Sequence, residues 1–216
     1  VADEEEGLRL GAIDYITKPF NPSIVRARVR NQLMLRGYAK QLEALNAELV
    51  RLATTDPLTG VANRRAFRER ATHELRRIER YGGGACLMMM DLDHFKQVND
   101  SYGHDAGDAV LCEVAKRIAG QLRETDVFGR LGGEEFAILA TDTTMELGAS
   151  IAERLLTSMR AAPIIWNGLE ITVTTSIGMT AMNQGDGSID AALARADQAL
   201  YSSKHGGRDR IEVLAA

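Results

Sequence analysis

The sequence Arg130-Leu131-Gly132-Gly133-Glu134-Glu135-Phe136 lies between two apolar segments, Thr125-Asp126-Val127-Phe128-Gly129 before it and Ala137-Ile138-Leu139-Ala140 after it. Apolar segments joined by a short glycine-containing turn predict a β-hairpin. Its tip is unusual because two glycines are followed by two adjacent carboxylates. Glycine lets a ligand approach the backbone closely, and a bound divalent cation would offset the repulsion between Glu134 and Glu135. A solvated acidic turn is the alternative for so short a motif.

A second acidic motif follows a predicted buried strand. Ala85-Cys86-Leu87-Met88-Met89-Met90 is a continuous apolar run, typical of a strand covered on both faces, and its methionines are expected to fill the core. The run ends in Asp91-Leu92-Asp93-His94-Phe95-Lys96. In α/β folds, ligand sites form at strand ends, and alternation places Asp91 and Asp93 on one face. A loop with solvated aspartates is the alternative.

The composition limits the class of protein. The 216 residues suffice for one globular domain with additional helix, and the net charge of −4 argues against a broad nucleic-acid-binding surface. No apolar run approaches transmembrane length, and the acidic first residues do not resemble a signal peptide. Cys86 and Cys112 lie in separate apolar segments and are expected to be reduced core thiols. These features predict a soluble, cytoplasmic protein that does not bind a membrane.

A long helix is predicted to begin at Asn21-Pro22-Ser23. Further along it, apolar residues recur at spacings of three and four, at Leu35, Tyr38, Leu42, Leu45, Leu49 and Leu52. This seam predicts a two-stranded coiled coil that dimerises the chain, and a single amphipathic helix lying on its own domain is the alternative. Pro57 and Gly60 then end the helical pattern.

The remainder of the chain alternates helices and strands. Asn167-Gly168 predicts a hairpin turn between Ile164–Trp166 and a strand from Leu169 to Gly178. Ser188 is predicted to begin the last helix, and Ile211–Leu214 is predicted to be the last strand. This order of elements predicts an α/β domain with a mixed sheet.

The separate motifs together resemble the GGDEF family, diguanylate cyclases that condense two GTP into cyclic di-GMP. The hairpin carries the Glu variant of the family signature, and Asp56-Pro57-Leu58-Thr59-Gly60-Val61-Ala62-Asn63-Arg64-Arg65 resembles its opening signature. The resemblance covers roughly Asp56 to Val213. It implies an α/β sandwich of the nucleotide-cyclase or polymerase-palm type with a mixed central sheet, preceded here by a long coiled-coil-type helix.

The resemblance also implies a metal site. Its ligands would be oxygens of Asp91, the Leu92 carbonyl, Glu134 and Glu135, holding two Mg²⁺ per half-site, with Mn²⁺ as an alternative. Glu134 is also the family's usual proton acceptor, and the choice of base between Glu134 and Glu135 stays open. Lys96 is implied to offset phosphate charge during catalysis.

The GTP site is implied by further matches. Asn99 and Asp108 resemble the family's guanine-reading residues, which would leave adenine unpaired, and His104 would lie beside the ribose or base. Lys204 and Arg208 resemble the pair that holds the terminal phosphates. Additional contacts with the nucleotide are implied for Phe95, Gly132 and Gly133.

Arg123 and Asp126 match the family's RxxD product-inhibition site by their offset from the hairpin, and a surface ion pair is the alternative. One domain would hold one GTP, so the resemblance implies a homodimer that makes, and is inhibited by, cyclic di-GMP. A non-catalytic cyclic di-GMP receptor and a signalling module that only dimerises are the rival functions. The enzyme is favoured because the acidic and guanine-reading positions are all filled.

The segment Gly11–Phe20 resembles the last strand and switch lysine of a response-regulator receiver domain. This implies a strand at Ala12–Ile16 and a cis Lys18–Pro19 bond, but the phosphorylated aspartate of that family has no match in the chain. The predicted organisation is a receiver remnant at 1–22, a linker helix at 23–53 and a GGDEF catalytic domain at 54–216.

Overall fold

The computed structural model describes residues 9–13, 15–16, 18–19 and 21–215, and the chain divides into two compact units, Val1–Val50 and Arg51–Ala216. Helix α1 spans Pro22–Thr54 and has no buried residue. The apolar seam from Leu35 to Leu52 is between 54% and 68% exposed. The long helix is therefore confirmed, whereas its pairing as a coiled coil stays a prediction. The predicted domain boundaries after residues 22 and 53 also stay predictions.

The segment before α1 differs from the sequence prediction. Residues 12–13 and 15–16 do not form a strand, and Asp14 lies outside the described residues. A strand is stable only when neighbouring strands or a packed helix support it, so this short segment does not adopt the extended pairing that its composition favours. The Lys18–Pro19 peptide bond is cis.

The second unit is an α/β domain. In chain order its elements are β1 (Ala62–Asn63), α2 (Arg64–Tyr81), β2 (Ala85–Leu92), α3 (Phe95–Tyr102), α4 (His104–Ala119), β3 (Val127–Gly132), β4 (Glu135–Thr141), α5 (Met145–Arg160), β5 (Ile164–Trp166), β6 (Leu169–Ile171), β7 (Thr175–Met182), α6 (Ile189–His205) and β8 (Ile211–Val213). Within the described residues, six strands form a mixed sheet of order β1-β3-β4-β2-β7-β8. The predicted mixed α/β fold is confirmed. None of the helices in the described part of the chain has the length and apolar character needed to cross a bilayer.

Strand β2 is the centre of the core. All eight of its residues are buried. Cys86, Met88 and Met90 belong to the cluster that contains α4 and α5, while Leu87 and Met89 belong to the cluster that contains α2 and α6. The helices therefore cover both faces of the sheet, which confirms the predicted burial of this strand and the core role of its methionines.

The strand predicted from Leu169 to Gly178 is two strands. Asn167-Gly168 does turn β5 into β6, both residues having positive φ. The chain then leaves this hairpin, and β7 begins at Thr175 because it pairs with β2 in the main sheet. A continuous run of residues with high strand propensity does not show that its first half will pair with one strand and its second half with another.

Helix α6 packs closely on β7 at Gly178. A Cβ added there would lie 2.1 Å from the Leu200 nitrogen and 2.2 Å from the Ala196 carbonyl oxygen. We expect Gly178→Ala to lower the free energy of unfolding by about 2–3 kcal/mol, because backbone atoms must move apart. Urea unfolding followed by circular dichroism measures this change.

Gly120→Ala is the matched control, because the added Cβ would meet the Lys116 oxygen at an ordinary 3.5 Å. We expect this control to change stability by less than about 0.5 kcal/mol. Equal losses in the two variants would contradict the close packing described at Gly178.

Candidate active site

Asp91 lies where the two acidic motifs meet. It is near the end of β2, is 6% exposed, and is in register with Glu135 of β4. The Lys204 ammonium, from the last turn of α6, is 2.8 Å from Asp91 Oδ2. The Thr175 hydroxyl donates to the Asp91 carbonyl at 2.8 Å. The fold thus brings together groups from three distant parts of the sequence.

The electrostatics of this cluster favour an additional cation. Burial raises the pKa of Asp91 above its ordinary value, the hydrogen bond and charge of Lys204 lower it, and the charges of Glu134 and Glu135 raise it further. The net shift is upward, so the ionised carboxylate is not fully compensated by protein groups. A divalent cation at this point would offset the repulsion among the three acids.

The available donors fit magnesium by type. Asp91, Glu134 and Glu135 supply carboxylates and Leu92 supplies a carbonyl, all hard oxygen ligands that Mg²⁺ selects. Within the described chain, however, no three His, Cys, Asp or Glu side chains already converge as a metal site. The acids therefore do not form a closed cage by themselves, and the predicted ligand set stays a prediction.

The tip of the β3–β4 hairpin has a backbone that favours glycine. Gly132 has φ +153° and Gly133 has φ +51°, and nothing lies within 4 Å of a Cβ added to either. The register shifts between Arg130 and Gly132, where the strand is irregular. The predicted hairpin is confirmed, and the open space beside its glycines would let a ligand approach the backbone.

Arg130 fastens this tip to the start of the domain. Its Nε donates to the Gly133 carbonyl at 2.8 Å, and its Nη1 donates to Asp56 Oδ1 at 3.1 Å. The same Asp56 oxygen accepts from the Thr59 amide and hydroxyl, and these contacts help to lower its pKa against the opposing effect of burial. No sequence pattern singled out Arg130, because an arginine before a turn is common.

The two predicted guanine-reading residues lie on adjoining helices. Asn99 of α3 packs against α4, where a Cβ added to Gly107 would lie 2.0 Å from Asn99 Oδ1. Asp108 follows directly and is exposed, as is His104 at the start of α4. Gly107 is therefore required for the close approach of Asn99 to α4, at the position directly before Asp108.

The predicted phosphate-binding residues Lys96, Lys204 and Arg208 do not all contact the acidic cluster. Lys96, in the first turn of α3, and Arg208, after α6, are exposed. Among the described residues, no ion pair joins the side chains of Lys96, His104 or Arg208 to the acidic cluster. Of the predicted phosphate ligands, only Lys204 contacts Asp91.

Asp93 has a different role from the one that strand alternation suggests. Its carboxylate is 5% exposed and accepts hydrogen bonds from the Thr174 hydroxyl at 2.7 Å, the Ser176 hydroxyl at 2.7 Å and the Asp209 amide at 3.1 Å. These bonds tie the end of β2 to β7 and to the loop after α6. A carboxylate so engaged is a structural acceptor, which the sequence pattern alone cannot distinguish from a ligand.

Arg123 and Asp126 lie in the turn before β3. The Asp126 carboxylate accepts from the Arg123 amide at 2.9 Å and the Thr141 amide at 3.3 Å, and the Arg123 side chain is exposed. Asp126 thus binds the backbone of Arg123 and not its guanidinium. No ion pair joins the Arg123 and Asp126 side chains in the part of the sequence that the structure describes, and a role in product binding stays a prediction.

A mixed α/β sheet with an acidic strand end beside a Gly-Gly-Glu-Glu hairpin defines a domain of the nucleotide-cyclase type. The family profile described as diguanylate cyclase, GGDEF domain, matches residues 53–210. The chain belongs to the GGDEF domain family.

Individual relatives agree with this membership. The chain is 45% identical over 161 residues to diguanylate cyclase DgcP of Pseudomonas aeruginosa, covering 74% of this chain and 24% of that protein. It is 35% identical over 213 residues to response regulator PleD of Caulobacter vibrioides, covering 98% of this chain and 47% of PleD. The chain therefore spans less than half the length of these curated relatives.

A solved structure resembles both the helix and the domain. The coiled coil and GGDEF domain of DgcB from Caulobacter crescentus, in complex with c-di-GMP, superposes with a TM-score of 0.80 at 30% identity. The match covers 88% of this chain and 99% of the DgcB chain. The long helix followed by a GGDEF domain is thus an arrangement that a relative also has.

The Arg130–Asp56 pair should contribute measurably to stability, because its side chains are only 14% and 18% exposed. A double-mutant cycle with Arg130→Ala and Asp56→Ala is expected to give a coupling of about 1–2 kcal/mol in urea unfolding. The exposed pair Arg65–Glu69, at 3.8 Å with 64% and 65% exposure, is the control.

For that control cycle we expect a coupling below about 0.5 kcal/mol, since solvent screens both charges. Comparable couplings in the two cycles would show that Arg130 does not hold the hairpin tip to Asp56.

Proposed function

We propose that the chain is a diguanylate cyclase, which joins two GTP molecules into cyclic di-GMP and releases two pyrophosphates. The observation that carries the proposal is the cluster of Asp91, Glu134 and Glu135 beside the open Gly132-Gly133 turn, with Lys204 on Asp91. Membership of the family and similarity to DgcP, named a diguanylate cyclase, support it. The reaction is an in-line attack of one GTP 3′-hydroxyl on the α-phosphate of the other, performed twice.

Asp91, the Leu92 carbonyl and Glu134 would hold one Mg²⁺, and Glu135 is the candidate for a second, with Mn²⁺ as an alternative. When bound, such ions would acidify the attacking hydroxyl and neutralise charge at the phosphorus. The protein groups would orient the triphosphate against this acidic strand end. Glu134 would accept the hydroxyl proton as general base, with Glu135 as the alternative.

The remaining predicted residues would bind and select GTP. Asp108 would accept from the guanine N1-H and amino group and Asn99 would meet the base edge, so adenine would leave these groups unpaired. His104 and Phe95 would lie beside the nucleoside. Lys96, Lys204 and Arg208 would offset the phosphate charge. Lys204 would then exchange its contact with Asp91 for one with phosphate.

Glu134→Gln tests the catalytic assignment. With GTP and Mg²⁺, we expect the parent chain to release pyrophosphate and form cyclic di-GMP, and the variant to be slower by about 10²–10⁴-fold, the contribution of a positioned base. Both products are followed, by a coupled phosphate assay and by chromatography.

Glu153→Gln, at an exposed position of α5, is the matched control and should keep parental turnover. Turnover that survives Glu134→Gln would refute the assignment of Glu134. Binding of cyclic di-GMP by a parent chain without turnover would favour the rival receptor function, and a chain that dimerises but neither turns over GTP nor binds product would favour the signalling module.

A homodimer is part of the proposal, because one domain has a single cluster of this kind among the described residues and the reaction needs two GTP. The exposed seam of α1 supports it, since a row of half-exposed leucines is expected to pair with a second copy. The similar DgcB structure likewise comprises a coiled coil and a GGDEF domain. Pairing would raise the local concentration of the second half-site.

Leu42→Glu with Leu49→Glu tests the seam. We expect the double variant to be monomeric by light scattering and its turnover at micromolar concentration to fall about tenfold or more, because the half-sites no longer meet. Ala44→Glu with Ala47→Glu adds the same charge away from the seam, at heptad positions c and f, and should leave both properties unchanged. If the Leu42→Glu and Leu49→Glu double variant were still a dimer, the proposed dimerisation through α1 would be contradicted.

Two further assignments complete the proposal. Arg123 and Asp126 would bind cyclic di-GMP as an inhibitory site, which the exposed Arg123 side chain permits. Residues 1–22 would be the end of a receiver domain, a reading supported by similarity to response regulator PleD across 98% of this chain. Input from such a domain would act by changing how α1 pairs two catalytic domains.

A further inference from the structure

The loop after α6 has an unusual backbone. Gly207, Arg208 and Asp209 follow one another with φ of +117°, +61° and +47°. Glycine adopts such angles readily, whereas arginine and aspartate do so rarely. Consecutive residues of this kind persist only where surrounding contacts hold them, and such places are often functional.

Two side chains from distant elements hold this loop. Arg160, the last residue of α5, donates from Nε to both carboxylate oxygens of Asp209 at 3.0 Å, and from Nη2 to the Asp209 carbonyl at 2.6 Å. Asp93, at the end of β2, accepts from the Asp209 amide at 3.1 Å. Asp209 is therefore bound at its amide, its side chain and its carbonyl. Asp93, Arg160 and Asp209 are called the loop clamp below.

The loop clamp lies next to residues of the proposed site. Asp93 is two residues from Asp91, and Arg208 directly precedes Asp209. The Arg208 amide donates to the Ser203 carbonyl at 3.0 Å, so the loop is also tied to the turn of α6 that carries Lys204. The clamp thus sets the backbone from which the exposed Arg208 side chain extends.

We infer that Arg160 and Asp93 are positioning residues that hold Arg208 where it can meet the terminal phosphates of the nucleotide. The inference rests on the proposed function. Arg160 itself does not contact the acidic cluster, so it acts through Asp209. The Arg160–Asp209 ion pair by itself would contribute little to stability, because its side chains are 45% and 36% exposed.

Binding of two nucleotides distinguishes a positioning role of Arg160 from a role in the stability of the whole domain. Guanosine monophosphate lacks the terminal phosphates, whereas 3′-deoxy-GTP has them but lacks the attacking hydroxyl. We expect Arg160→Ala to weaken binding of 3′-deoxy-GTP with Mg²⁺ by about three- to tenfold, as for loss of a partly exposed charge-assisted contact. Binding of the monophosphate should change less than twofold, and Arg160→Lys should recover part of the loss.

Arg195→Ala is the matched control. Arg195 likewise donates to a backbone carbonyl, at Ala181, and pairs with the carboxylate of Asp186. These contacts lie at the end of β7 far from the loop clamp, so both affinities should stay parental. Asp209→Asn is a second test variant in case Arg160→Ala does not fold, because asparagine tolerates positive φ while losing the ionic contact. It should reproduce the selective loss.

The two proposals fail in different ways. Suppose that the parent prefers the triphosphate. If Arg160→Ala keeps that preference, or loses affinity equally for both nucleotides, the positioning role of the loop clamp is overturned and the proposed function stands. A parent chain that binds neither nucleotide overturns the proposed function and the clamp with it.

Discussion

The register between β2 and β4 is the constraint on which the candidate site depends. Because successive residues of β2 pack into different helical layers, a slip of one residue would exchange the two core faces. The packing therefore fixes Asp91 opposite Glu135. This arrangement buries a charged group near two others of the same sign, a cost that Lys204 offsets only in part. Core packing and site chemistry are thus linked at one strand end.

Arginines perform the same task at two separate loops. Arg130 binds the Gly133 carbonyl and the Asp56 carboxylate, while Arg160 binds the Asp209 carbonyl and carboxylate. A planar guanidinium can donate in two directions, so one side chain satisfies a backbone oxygen and an acid together. Both loops contain residues with positive φ. In each loop, these contacts hold the positive-φ backbone in place from a neighbouring element.

Much of the fold could be predicted, because it depends on local patterns. The apolar run of β2 predicts a strand buried on both faces, and Ser188 caps the last helix at the predicted position. The failures have a common cause. Ala12–Ile16 has strand composition without supporting neighbours among the described residues, and Leu169–Gly178 divides because its halves pair with different strands. Pairing partners are non-local, and composition does not encode them.

The sequence by itself determined which chemistry the chain can offer: two acidic motifs, one after a buried strand and one in a glycine turn, together with the family they belong to. Only the tertiary structure decided that Asp91 pairs with Lys204, that Asp93 is a structural acceptor, and that Arg160 holds the loop of Arg208. Local sequence sets which groups a segment carries and how its backbone turns. The contacts among those groups follow from the packing of elements separated by tens of residues, so they exist only once the sheet and its helices are assembled.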